Sequence, residues 1–145
     1  MENLLVSACL LGLGCRYDGK SKPCPAVLAL RGRYNLIPVC PEQLGGLATP
    51  RPPAERRGGG VYTQNGLDVT GQYRRGAQMA LELAELLSCR RAILKSRSPS
   101  CGSGLIHDGL FSGALIAGDG VCAALFKENG IAVFSEEELA LLNAE

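Results

Sequence analysis

Three apolar runs in this chain each lead to a cysteine. Leu4-Leu5-Val6-Ser7-Ala8 runs into Cys9, and Asn35-Leu36-Ile37-Pro38-Val39 runs into Cys40, with Pro41 and Glu42 behind it. Arg91-Ala92-Ile93-Leu94 passes through Lys95-Ser96-Arg97-Ser98-Pro99-Ser100 to Cys101 and Gly102. Thiolates carried on separate loops can hold a metal ion or an iron–sulfur cluster. A four-iron cluster on only three cysteines leaves one iron without a protein ligand, free to act as a Lewis acid instead of an electron carrier. Glu42 offers a carboxylate that suits a general base for water; the same spacing also fits a helix N-terminal charge or a surface residue. Ser98 and Ser100 flank Pro99, where hydroxyls can bond a substrate or orient a water, or simply form the turn. Lys95 and Arg97 can steer an anionic or polar substrate, or lie on a solvated face.

Free cysteine commonly packs as a small hydrophobe, so the others are weighed one by one. Cys89 and Cys122 stand beside Leu, Ala and Val in helical runs and read as core. Cys15 lies in a polar loop and is a fourth ligand or a spare thiol. Cys24, between Pro23 and Pro25, reads as structural or incidental. The C-x-x-C spacing that marks zinc is absent. His107 is the only histidine; next to Asp108 in a turn, it reads as a surface residue. Gly118-Asp119-Gly120 ahead of a helix is a weaker phosphate cradle, since the full Gly-x-Gly-x-x-Gly pattern is missing.

What must position these groups is a single domain over residues 1–145, long enough to bury a core. With 20% charged residues and a net charge of +1, the chain has no electrostatic footprint for duplex nucleic acid. Without Trp it has little to stack single strands on. Met1-Glu2-Asn3 goes straight into a strand-like run, so no leader is expected, and no apolar run nears the roughly 20 residues that span a bilayer. The expectation is a cytoplasmic protein, in which seven cysteines stay reduced.

The periodicities predict strands at 3–8, 34–39, 91–95 and 131–134. Helices are expected at 23–30 with Ser21 as cap, at 70–88, and at 120–129 with Gly130 as the stop. Ser135 and Glu138 form a capping box for a last helix. Cys9 to Gly19 reads as a loop, and 41–71 as a long functional or mobile loop. Residues 104–116 read as a hairpin around Asp108-Gly109, with Phe111 and Leu115 inward. Strands alternating with helices predict an α/β class, a compact Rossmann-like domain with a mainly parallel sheet flanked by helices. In such sheets ligands bind outside the carboxyl ends of the strands, where Cys9, Cys40 and Cys101 stand.

Taken together, Ser7-Ala8-Cys9-Leu10-Leu11-Gly12, Cys15-Arg16-Tyr17-Asp18-Gly19, Pro38-Val39-Cys40-Pro41-Glu42, Asp68-Val69-Thr70 and Ser98-Pro99-Ser100-Cys101-Gly102 resemble the thiouracil desulfidase family of small bacterial proteins. The resemblance runs from about residue 4 to residue 139. It implies an enzyme with a [4Fe-4S] cluster on Cys9, Cys40 and Cys101 that removes sulfur from a thiolated nucleobase or nucleoside without net redox change. It implies that Glu42 works with the attacking water and that the catalytic serine is Ser98 or Ser100, with Ser98 preferred. The chain departs from the pattern at His107, where an aromatic residue is commoner, and at Tyr73, where Phe is usual. Two rivals stay open: a structural or redox-sensing module holding a cluster or zinc on the same cysteines, and a nucleotide binder at Gly118–Gly120.

Overall fold

The computed structural model describes residues 1–144. In chain order the elements are β1 (Glu2–Ser7), a 3₁₀ turn (Ala8–Leu11), α1 (Pro25–Leu28), a second 3₁₀ turn (Ala29–Gly32), β2 (Tyr34–Val39) and α2 (Pro41–Leu44). Then come β3 (Ala54–Arg57), β4 (Gly60–Thr63), α3 (Thr70–Leu86), β5 (Arg91–Ile93), β6 (Leu105–His107), β7 (Leu115–Ala117), α4 (Val121–Glu128), β8 (Ala132–Phe134) and α5 (Leu139–Ala144).

Strands β2-β1-β5-β8 form one sheet, and every pairing in it is parallel. Residues of β1 pair from Glu2 with Tyr34 up to Ser7 with Val39. On the other side Leu5 pairs with Ala92 and Val6 with Ile93. A parallel sheet covered on both faces needs apolar side chains on both sides of each strand, which explains the unbroken Leu4-Leu5-Val6 run. Alternate residues serve opposite layers. Leu5, Ala92 and Leu94 pack with Ala77, Ala80, Leu81 and Ala84 of α3 and with Cys122 and Phe126 of α4. Leu4, Val6 and Ile93 pack with Val27, Leu30, Phe134 and Leu142 on the opposite face. The mainly parallel α/β architecture expected from the alternation is the one observed.

Several local expectations are corrected. Helix α1 is shorter than 23–30, because Pro25 sets its first turn; Ser21 is no cap, since the cap position falls to Cys24. The 41–71 segment is not a structureless loop. It holds α2 and the β3–β4 hairpin, which Gly58 and Gly59 turn. These elements are too short to leave a period in the sequence. The 104–116 hairpin exists as β6–β7, but Leu115 faces outward at 38% exposure, because β7 is exposed along its whole length. Cys89 lies just past α3 and is core, as is Cys122. The amide of Ser135 donates to Glu138 Oε1 (2.9 Å) and that of Glu137 to Ser135 Oγ (3.1 Å), but these bonds close a turn ahead of the helix: α5 begins only at Leu139, so Ser135 is not its N-cap.

Helix α2 touches α3 backbone to backbone. A Cβ on Gly76 would lie 1.8 Å from the Pro41 carbonyl oxygen, and one on Gly45 would lie 2.0 Å from that of Gln72. The contact sets where α2, and so Glu42, stands. Gly76→Ala should cost about 2–3 kcal/mol by overpacking, read as a fall in the urea midpoint at unchanged slope. An unchanged midpoint would mean the helices part at no cost.

Candidate functional site

The chain leaves β1 for β2 on one side of the sheet and comes back to β5 on the other. That reversal opens a crevice at the carboxyl ends of the strands, the place where open α/β sheets bind ligands. A cavity of about 340 Å³ lies there, and its walls include Cys9, Cys15, Cys40, Cys101, Glu42 and Ser98. The structure therefore brings together the three cysteines singled out in the sequence and also Cys15, whose place was open. Cys24 is not in the lining. All seven cysteines are free thiols.

Each thiol is held by a local device. Cys9 sits in the 3₁₀ turn directly after β1, and its carbonyl accepts from the amides of Gly12 (3.3 Å) and Lys22 (2.9 Å). Cys40 is the residue before α2, with Pro41 opening that helix. Its Sγ lies 3.7 Å from the Cys15 carbonyl oxygen. Cys101 is fixed by α4: the amides of Val121, Cys122 and Gly120 donate to the carbonyls of Pro99 (2.9 Å), Ser100 (2.8 Å) and Gly102 (2.7 Å). The first amides of α4 are thus used by the turn that carries Cys101. Asp119 adds a carboxylate occupied by Gly104 and Lys127, so no phosphate cradle is formed at Gly118–Gly120.

The crowded thiols hold their protons. Cys40 draws the Cys15 pKa down, but the Cys9 thiol, burial and the Glu42 charge outweigh it and push it up to about 11. Hydrogen bonding to Cys15, burial and Glu42 all raise Cys40. Burial first, then Glu42, pushes Cys101 up to about 12. Two hydroxyls work the other way at Cys101: those of Ser7 and Ser100 stand where they favour its thiolate. Ser100 Oγ is fully buried and makes no full hydrogen bond; a thiolate or cluster sulfur beside it is the acceptor it lacks. Among the described residues no three of Cys, His, Asp and Glu converge closely enough to hold a single metal ion. A cluster has no such requirement, because each of its irons takes a different thiolate. The soft donor set, spread round one cavity, fits a cluster.

Glu42 sits in the first turn of α2 and is bound to Arg51, Nη2 to Oε2 at 2.8 Å, with both side chains largely buried. The same Arg51 nitrogen donates to the Cys15 carbonyl (3.0 Å), tying the carboxylate to the thiol loop. Ser98 Oγ accepts from the amides of Ser100 (3.1 Å) and Cys101 (3.0 Å). With both lone pairs engaged, its remaining capacity is to donate. Ser98 lines the cavity and Ser100 does not. Lys95 is at the wall too, paired with Glu136 (3.1 Å). His107 is corrected: it lines the cavity, and its Nδ1 is buried, because β6 packs beside the end of β5 through the Arg97–Ile106 bridge.

The sequence model of the family described as 2-thiouracil desulfurase matches residues 4–138. The chain belongs to that family. A family relative, the uncharacterized protein YbbK of Bacillus subtilis (strain 168), is 44% identical over 146 residues, covering 94% of this chain and 97% of that one. A solved structure of the [4Fe-4S]-dependent thiouracil desulfidase TudS is 49% identical. It superposes with a TM-score of 0.94 over 99% of this chain and 97% of that chain. In this family member no helix among the described residues is long and apolar enough to cross a membrane.

Reading the sequence missed Arg51, Tyr73 and Glu55, all in the cavity wall. Arg51 lay in a stretch without periodicity, with nothing to show which carboxylate it would meet. Tyr73 was noted only as a departure from the family pattern; in the wall, burial, with Glu42 nearby, raises its phenol pKa.

Arg51→Met removes one partner of a buried ion pair and should cost about 3 kcal/mol or more, measured by urea unfolding; a cost below 1 kcal/mol would show the pair to be solvated. The thiol pKa shifts set a pH dependence for the metal-free protein. Cys15 and Cys101 rise from 9.0 to about 11 and about 12 on folding, so the folded state holds their protons longer than the unfolded chain. Their contribution is full below pH 9.0 and lost as pH climbs towards 11–12. The melting temperature should fall steadily across that window, and a flat profile would contradict the shifts.

Proposed function

We propose that this chain is a [4Fe-4S]-dependent desulfidase that exchanges the sulfur of a thiolated nucleobase, such as thiouracil, for the oxygen of water. The observation that carries this reading is the meeting of Cys9, Cys40, Cys101 and Glu42 in one cavity. The kinship with TudS, whose activity is of this kind, supports it. Cys9, Cys40 and Cys101 would hold the cluster, with Cys15 a fourth thiol beside Cys9 and Cys40. When bound, the cluster supplies a Lewis-acidic iron for the thiocarbonyl sulfur.

The chain's own groups supply the rest. Arg51 keeps Glu42 oriented by its bond to Oε2, and Oε1 is the atom we assign to the proton of the attacking water. The water oxygen attacks the carbon bearing sulfur. The added oxygen passes its remaining proton to the sulfur, the C–S bond breaks, sulfur leaves as hydrosulfide, and the carbon is left as a carbonyl holding the water oxygen; nothing is oxidised or reduced. Ser98, restricted to donating, gives its hydrogen bond to the oxygen or sulfur as charge builds. Ser100 supports Cys101. A cavity of about 340 Å³ is at the small end of ligand pockets, which suits a single base or nucleoside.

The test is anaerobic reconstitution, iron and sulfide quantitation, and assay of sulfide released from 4-thiouracil. Glu42→Gln should keep the cluster absorbance and lose about 100-fold or more in kcat, the worth of a general base; retained turnover would remove Glu42 from the mechanism. Cys101→Ser should lose iron. Stoichiometric zinc without iron or sulfide in protein purified without oxygen would favour the structural module instead.

A further inference from the structure

One buried polar group at the cavity is used neither by the fold nor by the reaction just described. His107 lines the cavity, and its Nδ1 is buried without a hydrogen-bond partner among the described residues. The other such atom, Ser100 Oγ, has the Cys101 sulfur beside it. Asp108, next in sequence, does not serve the imidazole. Its carboxylate accepts from the Leu110 amide (2.9 Å) and the Ser112 hydroxyl (2.8 Å) within the turn.

The ring is held firmly in place. Glu55 of β3, itself in the cavity wall, accepts from the amides of Gly109 and Phe111, each at 3.0 Å. Gly109 has a φ of +88° and packs so close to β3 that a Cβ would lie 2.8 Å from the Arg56 carbonyl oxygen. The β6–β7 hairpin is thereby clamped to β3, with His107 one residue before the clamped turn. A buried nitrogen without a partner destabilises a protein, and such a group, rigidly held at a ligand cavity, is explained if the ligand completes it.

We infer that His107 is a specificity residue whose imidazole hydrogen-bonds a ring N–H or carbonyl of the substrate, so that the site selects a thiolated pyrimidine over a thiocarbonyl ring lacking that polar edge. The inference rests on the reading of the site as a desulfidase. The two imidazole nitrogens point apart, so a single nitrogen meets a single substrate group: protonated it donates to a ring carbonyl, unprotonated it accepts from a ring N–H. Selection follows because a ligand without those groups leaves the nitrogen unpaired.

The experiment compares 4-thiouracil with pyridine-4-thione, which keeps the ring N–H opposite the thiocarbonyl but lacks the C2 carbonyl and the N3–H beside it, on the cluster-loaded enzyme. His107→Phe should raise KM for 4-thiouracil about tenfold with kcat within a few-fold, and leave pyridine-4-thione unaffected. Its iron and sulfide content should be unchanged and its melting temperature equal or higher, because an unpaired buried nitrogen has gone. His107→Gln, which keeps a donor and an acceptor, should restore most of the affinity. An unchanged preference between the two substrates in His107→Phe would overturn the proposal. A readout free of variants is the ring resonance of His107, assignable at once because the chain has one histidine: saturating uracil should shift it, and an unmoved resonance in a uracil-bound enzyme overturns the inference. Wild-type enzyme that releases no sulfide from 4-thiouracil would instead defeat the desulfidase reading, which keeps the two failures apart.

Discussion

Everything at the site depends on a parallel sheet delivering three loops to one edge. Because β1, β2 and β5 run the same way and lie side by side, the residues that follow them emerge together however far apart they are in sequence. Cys9 and Cys40 come directly off their strands. Cys101 is reached through a longer turn, and that turn would be free to wander were it not tied down. The tie is α4, whose first amides need partners and find them in the carbonyls of Pro99, Ser100 and Gly102. A helix end that is an anion site in other folds is here spent on holding a thiol in place.

The second constraint is electrostatic. Four thiols and a carboxylate share a small cavity, and burial together with mutual proximity keeps Cys15, Cys40 and Cys101 protonated. Only a positive centre among them reverses that preference, since metal binding replaces thiol protons. The pocket is therefore poised to take up metal with release of protons. The Ser7 and Ser100 hydroxyls at Cys101 favour the thiolate once it forms. Ser7 also accepts the Lys95 amide at 2.9 Å, which locks the ends of β1 and β5 together, so the hydroxyl that tunes the sulfur also fixes the strand that carries it.

The wall facing the sheet is built by the segment between α2 and α3 and by the β6–β7 hairpin. Arg51 joins Glu42 to the thiol loop, and Glu55 clamps the hairpin that carries His107. These are long-range polar contacts between irregular stretches, which gives the cavity a specific shape at the cost of depending on each partner being present.

The sequence by itself determined the fold class and the thiol positions. Apolar runs such as Leu4-Leu5-Val6 have few other uses than a sheet covered on both faces, and a cysteine at such a run's end sits at the sheet's ligand-binding edge by topology alone. Helix α3 and the Ser135–Glu138 turn were legible because their signals are local, though the last helix starts only after that turn. Tertiary structure decided the rest: that Cys15 joins the other three thiols, that Arg51 meets Glu42, that Ser98 and not Ser100 reaches the cavity, and that His107 is inside instead of at the surface. Each of these depends on where irregular chain segments pack. Such packing is set by contacts across tens of residues, which no local spacing of residue types records.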